Sequence, residues 1–383
     1  MFSSHIDEVR TSPFIEIIPL PNPPIHIPND HEGIMTDIQF FDGHNDAVQF
    51  LAEYRSPGRD FLVRSDTGHL DLPRAIEGGM IGGLFALMAK PEHAPEGNVI
   101  KTDDGYEVIY PESFPLSAAR PQIGRQLSAL RAVVERSTAK MRFATTVDEI
   151  ITAKSQGQFS VVLHMEGAEA VDAEFEYLHT LYQAGLRSLG PVWSRPNIFG
   201  HGVQFAFPRS PNIGPGLTPL GKELVKVCNN LGIMVDLAHM NEKGFWDVAS
   251  LSSAPLVATH ACAHAISQST RNLTDRQLDA IRDTDGVIGF NLAVYDIRAD
   301  AHLDANTSLD TVVRHIEYLI NRVGEDRVAL GSDFDGTTVP SQIKDVSGVP
   351  HLFEAMGRAG FGRQTISKFA CENWLRVFSL TWK

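Results

Sequence analysis

The feature that most constrains the fold is an alternation of short apolar segments with longer amphipathic ones. Each apolar segment is only a few residues long, which is typical of strands buried on both faces of a parallel sheet. Eight such segments occur, at 38–42, 81–88, 160–165, 186–192, 233–238, 256–259, 287–292 and 328–332. Eight parallel strands alternating with helices close a barrel, so the sequence predicts an α/β fold of the (β/α)8 TIM-barrel type.

Signals for the starts and ends of helices fall between these segments. Pro219 suits the first position of a helix, and Gly232 suits the position just after its end. Thr274 and Gln277 have the spacing of a capping box. Apolar residues at intervals of three and four predict a further amphipathic helix that ends at Gly324. These helices are the connections that a parallel barrel requires.

A doubly wound open sheet is the alternative arrangement of strands and helices. It needs a G-x-G-x-x-G turn after the first strand, and the sequence there reads FDGHND. Two long connections, 89–120 and 194–217, are rich in proline and glycine, and we expect them to fold over one end of the barrel. Residues 13–28 hold six prolines. The sequence therefore predicts an extended N-terminal arm over 1–35 and one barrel domain over 36–383.

The charge and the cysteines restrict partners and compartment. Lys and Arg number 33 against 47 Asp and Glu, giving a net charge of −14. Such a surface repels phosphates and anionic lipids, so we expect no nucleic-acid partner and no membrane binding. Cys228, Cys262 and Cys371 are far apart and odd in number, which favours a reducing compartment over a disulfide framework. With no long apolar run and an acidic N-terminal segment, the prediction is a cytoplasmic protein.

Side chains of the metal-binding type follow several predicted strands, at the rim where barrel enzymes have their active sites. His44 and Asp46 follow the first strand and share a face, because strand side chains alternate. Glu166 ends the third strand, where a buried carboxylate needs a cationic partner. His239 and His260 end the fifth and sixth strands. Five such ligands exceed the needs of one tetrahedral zinc and suit two ions that share a bridging carboxylate.

The motifs around these residues resemble those of the membrane (renal) dipeptidases and their bacterial relatives, peptidase family M19 of the amidohydrolase superfamily. The matching stretches are DGHND at 42–46, EG at 166–167, DLAH at 236–239, TH at 259–260, RNLTD at 271–275 and GSDFDG at 331–336. They occur in the order found in the family and extend over the whole predicted barrel. The resemblance implies a distorted (β/α)8 barrel of the metallo-dependent hydrolase type with two zinc ions per chain.

The resemblance also implies a role for each residue. The ligands would be His44 and Asp46 for one zinc, His239 and His260 for the other, and Glu166 for both. Arg271 would bind the C-terminal carboxylate of a dipeptide. Asp333 would handle protons at the water that the two ions share. Family relatives are often dimers, which adds a homodimer to the expectations.

The sequence departs from the family after the fourth strand. Members commonly carry a histidine there, in a Leu-Thr-His stretch, that helps to bind the scissile carbonyl. Here Pro191 stands at that place and has no hydrogen to donate. His201, in the glycine-rich loop that follows, is the candidate replacement. Aromatic residues of the same connection either line a substrate pocket or pack the loop: Trp193, Phe199, Phe205 and Phe207.

The prediction from the sequence is a binuclear zinc dipeptidase for small dipeptides with a free C-terminal carboxylate, extending to a D-residue at that position. One alternative keeps the site but hydrolyses another amide, such as an N-acyl amino acid or a pathway intermediate. A second is a metal-dependent lyase or isomerase on the same barrel. A third is a non-catalytic protein that binds metals. A content of two ions per chain favours a hydrolase over a single-metal lyase.

Overall fold

The computed structural model describes residues 37–91, 98–109 and 112–383. The strands are β1 Phe40–Asn45, β2 Met80–Leu87, β3 Val99–Lys101, β4 Tyr106–Val108, β5 Met141–Phe143, β6 Phe159–Glu166, β7 Leu186–Gly190, β8 Ala206–Phe207, β9 Met234–Val235, β10 Val257–Ala261, β11 Val287–Phe290 and β12 Val328–Leu330. The helices are α1 Leu72–Glu77, α2 Leu116–Arg136, α3 Val147–Ser155, α4 Glu176–Gln183, α5 Pro219–Leu231, α6 Glu242–Leu251, α7 Asp275–Asp283, α8 Val294–Ile297, α9 Leu309–Val323, α10 Val349–Arg358, α11 Arg363–Ser367 and α12 Asn373–Thr381.

Two parallel sheets together make the barrel. The larger has the order β1-β2-β6-β7-β9, with β5 added beside β6, and the smaller has the order β10-β11-β12. Single parallel bridges join the sheets at both edges, Asp236 to Val257 and Asn45 to Phe334. The eight strands on this closed path coincide with the eight predicted segments. The predicted distorted (β/α)8 barrel is confirmed.

The predicted helix signals act as capping contacts. The Thr218 hydroxyl accepts a hydrogen bond from the Gly221 backbone N–H at the start of α5, and Gly232 ends that helix at a φ of +73°. Thr274 and Gln277 form a capping box at the start of α7. Each cap satisfies backbone groups that a helix end leaves without partners.

Buried apolar side chains fill part of the barrel interior and leave the end at the C-terminal ends of the strands available for a site. Phe41, Val162 and Met234, from three different strands, pack in one buried cluster with residues of α12. Trp374 of α12 is fully buried, and its Nε1–H donates to the Leu330 carbonyl at 2.9 Å. A Cβ at Gly43 would clash with the Trp374 ring, so the glycine of the DGHND motif admits this side chain.

The fifth barrel strand is shorter than the sequence predicts. Strand β9 ends at Val235, whereas the apolar segment continues to 238. The reason is Asp236, whose carboxylate accepts hydrogen bonds from the backbone N–H groups of Ala238 and Thr259. This side chain takes the place of a backbone carbonyl as the acceptor for the Thr259 N–H, so regular strand pairing stops here.

The two long connections pair with each other. The first contains β3 and β4, the second contains β8, and the three form an antiparallel sheet in the order β3-β4-β8. None of the described helices has both the length and the apolar character that crossing a bilayer requires. The predicted arm over 1–35 lies outside the described residues, so the division into arm and barrel domain stays a prediction. The cytoplasmic location and the homodimer likewise stay predictions.

Candidate functional site

Six acidic and imidazole side chains meet at the C-terminal ends of the barrel strands. None of the six is more than 8% exposed. They are His44 in β1, Asp46 just after it, Glu166 at the end of β6, His239 after β9, His260 in β10 and Asp333 after β12. The structure therefore brings together the five predicted metal ligands and the predicted proton-handling aspartate.

Glu166 lies at the centre of the group. Its Oε1 is 2.8 Å from Nε2 of His239, 3.6 Å from Nε2 of His260 and 3.8 Å from Nε2 of His44. The His44 Nε2 atom is also 3.8 Å from Oδ2 of Asp46. Two sets of three potential ligands result, and Glu166 belongs to both. A further set joins Asp333 to two of the histidines.

The electrostatics of the group call for added positive charge. Burial, together with the negative charge of Asp46, raises the pKa of Glu166 to about 8 and that of Asp333 to about 7. Burial also lowers the pKa of His239 and His260 well below the ordinary value, with the Arg271 charge acting in the same direction. The two histidines are therefore neutral, which is the form that binds metal. Three carboxylates this close together are stable as anions only beside cations.

The unpartnered atoms fit a metal site as well. Both ring nitrogens of His44 and Oδ1 of Asp46 are buried without a hydrogen-bond partner. Unsatisfied buried polar atoms are costly, and ligation removes the cost. Donors about 2.1 Å from one tetrahedral zinc lie about 3.4 Å apart, which is close to the spacings around Glu166. The residues thus fit divalent ions by charge, donor type and spacing.

A hydroxyl relay beneath His260 fixes which of its nitrogens faces the site. The Thr259 Oγ1 atom is 2.7 Å from Oδ2 of Asp236 and 2.9 Å from Nδ1 of His260. A carboxylate only accepts, so the single hydroxyl hydrogen goes to Asp236 and Thr259 must accept from His260. Nδ1 therefore carries the hydrogen of His260, and Nε2 presents its lone pair towards Glu166.

Two other side chains of the group are held by neighbours that the sequence did not point out. The Ser194 hydroxyl is 2.8 Å from Nδ1 of His239. The Asn291 amide donates to Oδ2 of Asp333 at 3.2 Å. Asp333 has a left-handed φ of 58°, a strained conformation for a residue with a Cβ that is found mostly at functional sites. A Cβ at Gly336 would clash with the carboxylates of Asp333 and Asp46, so this glycine lets the two approach.

Arg271 lies at the edge of the same group. It is 4% exposed, and its Nη2 donates a long hydrogen bond of 3.4 Å to the carbonyl of His260. Its Nη1 is buried without a partner, and no ion pair joins Arg271 to a carboxylate in the described part of the chain. A buried guanidinium with a free donor face is available to an anionic ligand.

His201 is the one predicted site residue that the structure does not bring to the group. Its backbone pairs with Pro196. Among residues 37–91, 98–109 and 112–383, no hydrogen bond, ion pair or ring contact joins its side chain to the six. Pro191, at the place of the family histidine, has its carbonyl bonded by the Asn197 amide at 2.9 Å. The substrate-binding role of His201 stays a prediction.

Comparison with known proteins identifies the family. The model of the membrane dipeptidase family, peptidase family M19, matches residues 29–381. The chain belongs to this family. The M19 chain is accordingly a metallo-dipeptidase, a hydrolase of peptide bonds. The resemblance in the sequence motifs is confirmed over the whole barrel.

Solved structures and a curated relative support the assignment. The M19 chain is 44% identical to the dipeptidase AC, a metallopeptidase of family M19, with a TM-score of 0.83 over 90% of this chain and 99% of that one. It is 43% identical to a Rhodobacter sphaeroides metallopeptidase bound to a phosphinate mimic of L-Ala-D-Ala, with a TM-score of 0.83 over 90% and 100% of the two chains. An uncharacterised Klebsiella pneumoniae protein in the pqqA 5′ region is 45% identical over 259 residues, 68% of this chain and 96% of the relative.

Proposed function

We propose that this protein is a binuclear zinc dipeptidase that hydrolyses small dipeptides with a free C-terminal carboxylate. The observation that carries the proposal is the pair of three-ligand sets that share Glu166. In this proposal His44 and Asp46 would hold one ion, His239 and His260 would hold the other, and Glu166 would be a ligand of both. Imidazole and carboxylate donors with this spacing suit zinc. Two such ions polarise a carbonyl and activate a water near neutral pH.

Asp333 is the proton carrier in the proposed reaction. The Asn291 amide occupies its Oδ2 atom, and its other oxygen lies near Asp46 beside Gly336. A carboxylate held in this way accepts a proton from the attacking water and passes it to the departing amine. The transfer matters because an amine leaves poorly as an anion.

Arg271 selects the substrate by its C-terminus. Its unpartnered Nη1 and its buried position suit a carboxylate, which a guanidinium binds through two parallel hydrogen bonds. A fixed cation at one distance from the ligand group measures the length of the substrate and favours two residues over longer peptides. Acceptance of a D-residue at the C-terminal position is supported by the L-Ala-D-Ala mimic bound to the Rhodobacter sphaeroides relative.

The test combines metal content with a substrate survey. We expect metal-free protein to take up two zinc ions per chain, measured by titration and elemental analysis. We expect the zinc-loaded enzyme to release amino acids from free dipeptides in a library that contains both C-terminal stereoisomers, and to leave N-acetyl amino acids intact. Hydrolysis of the N-acyl compounds alone would overturn the dipeptide assignment.

The variant Glu166→Gln tests the bridge directly. Removing the negative charge leaves two dications without the group that lets them lie close together, so zinc content should fall below two and hydrolysis should be lost. Glutamine keeps the shape of the side chain, which separates the loss of charge from a packing defect. Two tightly bound zinc ions and full activity in this variant would disprove the ligand assignment.

A further inference from the structure

Two aromatic side chains lie beside the ligand group, and one of them also lies beside Arg271. The Phe205 ring is 6.1 Å from the His239 ring, and the Arg271 guanidinium carbon is 5.9 Å from the Phe205 ring centre. Trp193 lies 5.9 Å from Phe205 and 5.7 Å from His239, between ring centres. Both aromatic side chains are partly buried, with part of their surface left accessible. They present apolar surface within an otherwise charged site.

The other two aromatic residues of this connection do not share the position. Phe199 is fully buried and stacks on Phe175, with ring centres 6.1 Å apart. Phe207 stacks on Tyr106 of β4 at 6.4 Å. The sequence left open whether these four residues line a pocket or pack the loop. Phe199 and Phe207 pack the loop and the small sheet, whereas Phe205 and Trp193 contact the site.

Neighbouring residues hold both Phe205 and Trp193 in place. The Val108 backbone N–H donates to the Phe205 carbonyl at 2.8 Å, so strand β4 holds that backbone in place. The Arg195 guanidinium lies 5.3 Å from the Trp193 ring centre and forms a buried ion pair of 2.7 Å with Glu169. A surface held in this way is formed before a ligand arrives, and binding to it costs little ordering entropy.

The length of a dipeptide places its C-terminal residue against this surface. In the proposed function the scissile carbonyl lies at the ligand group that contains His239, and the carboxylate lies at Arg271. These two groups of a dipeptide are one residue apart, a distance of less than about 4 Å. Phe205 is within about 6 Å of both anchoring residues. A side chain on the C-terminal residue would therefore be within reach of the Phe205 ring.

We propose that Phe205 and Trp193 form the wall against which the C-terminal side chain packs, and that this enzyme prefers dipeptides with an apolar C-terminal residue. The inference rests on the proposed function and adds to it the class of substrate. Apolar contact in such a site discriminates through the area removed from water, and a polar side chain of equal size loses hydrogen bonds to water without replacement.

The experiment compares kcat/KM for Ala-Gly, Ala-Leu and Ala-Asn, each chiral C-terminal residue in the stereoisomer that the enzyme cleaves faster. Leucine and asparagine have similar size and differ in polarity. We expect kcat/KM for Ala-Leu to be about tenfold higher than for either of the other two substrates. The variant Phe205→Ser should reduce the Leu-to-Gly ratio to about threefold or less, and Phe205→Leu, which keeps the apolar surface, should retain it.

The controls separate this role from others. Ile198→Ser makes a matched apolar-to-serine change at an exposed position of the same connection and should leave the ratio as in the wild type. If Phe205 acts only by holding Arg271, both Phe205 variants will lower kcat/KM for all three substrates by the same factor. That result overturns the inference. Equal wild-type rates for Ala-Leu and Ala-Asn also overturn it, even if no variant folds. If the enzyme cleaves the dipeptides but does not prefer Ala-Leu, the proposed wall is wrong and the proposed function stands. If it cleaves no dipeptide, both the proposed function and the wall are wrong.

Discussion

Thr259→Val removes one oxygen atom from beneath the site and keeps the shape of the side chain. In the wild type the hydroxyl donates to Asp236 at 2.7 Å and accepts from Nδ1 of His260 at 2.9 Å. Valine makes neither bond. His260 is then free to carry its hydrogen on Nε2, the nitrogen that faces Glu166, and in that form Nε2 cannot bind a metal ion.

The size of the effect follows from the two hydrogen bonds. Each contributes about 0.5–1.5 kcal/mol, so their joint loss amounts to about 1–3 kcal/mol. That loss bears on folding, whereas removing an outer-shell partner of a metal-binding histidine typically weakens metal binding about 10–100-fold, so zinc at the site that includes His260 should bind about 10–100 times more weakly. The Asp236 carboxylate keeps the two backbone N–H donors of Ala238 and Thr259, so the barrel should remain folded.

The assay is a competition titration of metal-free protein against a chromophoric zinc chelator. Thr259→Val should show one weakened site and one site of wild-type affinity, and Thr259→Ser, which restores the hydroxyl, should bind as the wild type does. The 15N chemical shifts of the imidazole nitrogens in the metal-free proteins report the tautomer directly. Equal zinc affinities for wild type and Thr259→Val at both sites would refute the reasoning.

Three further predictions concern substrate binding and the carbonyl donor. Arg271→Met should raise KM for free dipeptides by the equivalent of about 2–5 kcal/mol, because a bound carboxylate is left buried without its partner, and should change little for C-terminally amidated analogues. Equal losses on both kinds of substrate would show that Arg271 is structural. His201→Ala should leave kcat within about twofold, whereas a true replacement for the family histidine would cost about 10²–10³ with zinc content unchanged. Pro191→His should raise kcat on the best library dipeptide, and an unchanged or lower kcat in a folded variant would count against a missing carbonyl donor.

The barrel could be predicted because its strands carry a signal that is local. Strands buried on both faces read as continuous apolar runs, and eight of them were found at the right places. Strands β3, β4 and β8 were not predicted. They are two or three residues long, and β3 is exposed. Their pairing depends on two connections that are far apart in the sequence, which no local pattern contains.

Some residues of the candidate site could likewise be predicted from the sequence, and others could not. His44 and Glu166 were found because chemically distinctive residues stand at strand ends, and a barrel gathers strand ends at one rim. Ser194 and Asn291 were missed because serine and asparagine are common in loops, and only the fold places them beside His239 and Asp333. For Asp236 the sequence contained a usable sign, a carboxylate within the DLAH motif.

The two single bridges that close the barrel give the proposed metals a second consequence. Asn45–Phe334 and Asp236–Val257 are seams between the sheets, and both lie next to proposed ligands. His44 and Glu166 come from the larger sheet, and His260 comes from the smaller one. Ions shared among these donors would add a further connection between the two sheets at these seams. Free zinc at 100 times its dissociation constant adds about 2.7 kcal/mol per site to folding, so a shortage of zinc would reduce the amount of folded protein as well as its turnover.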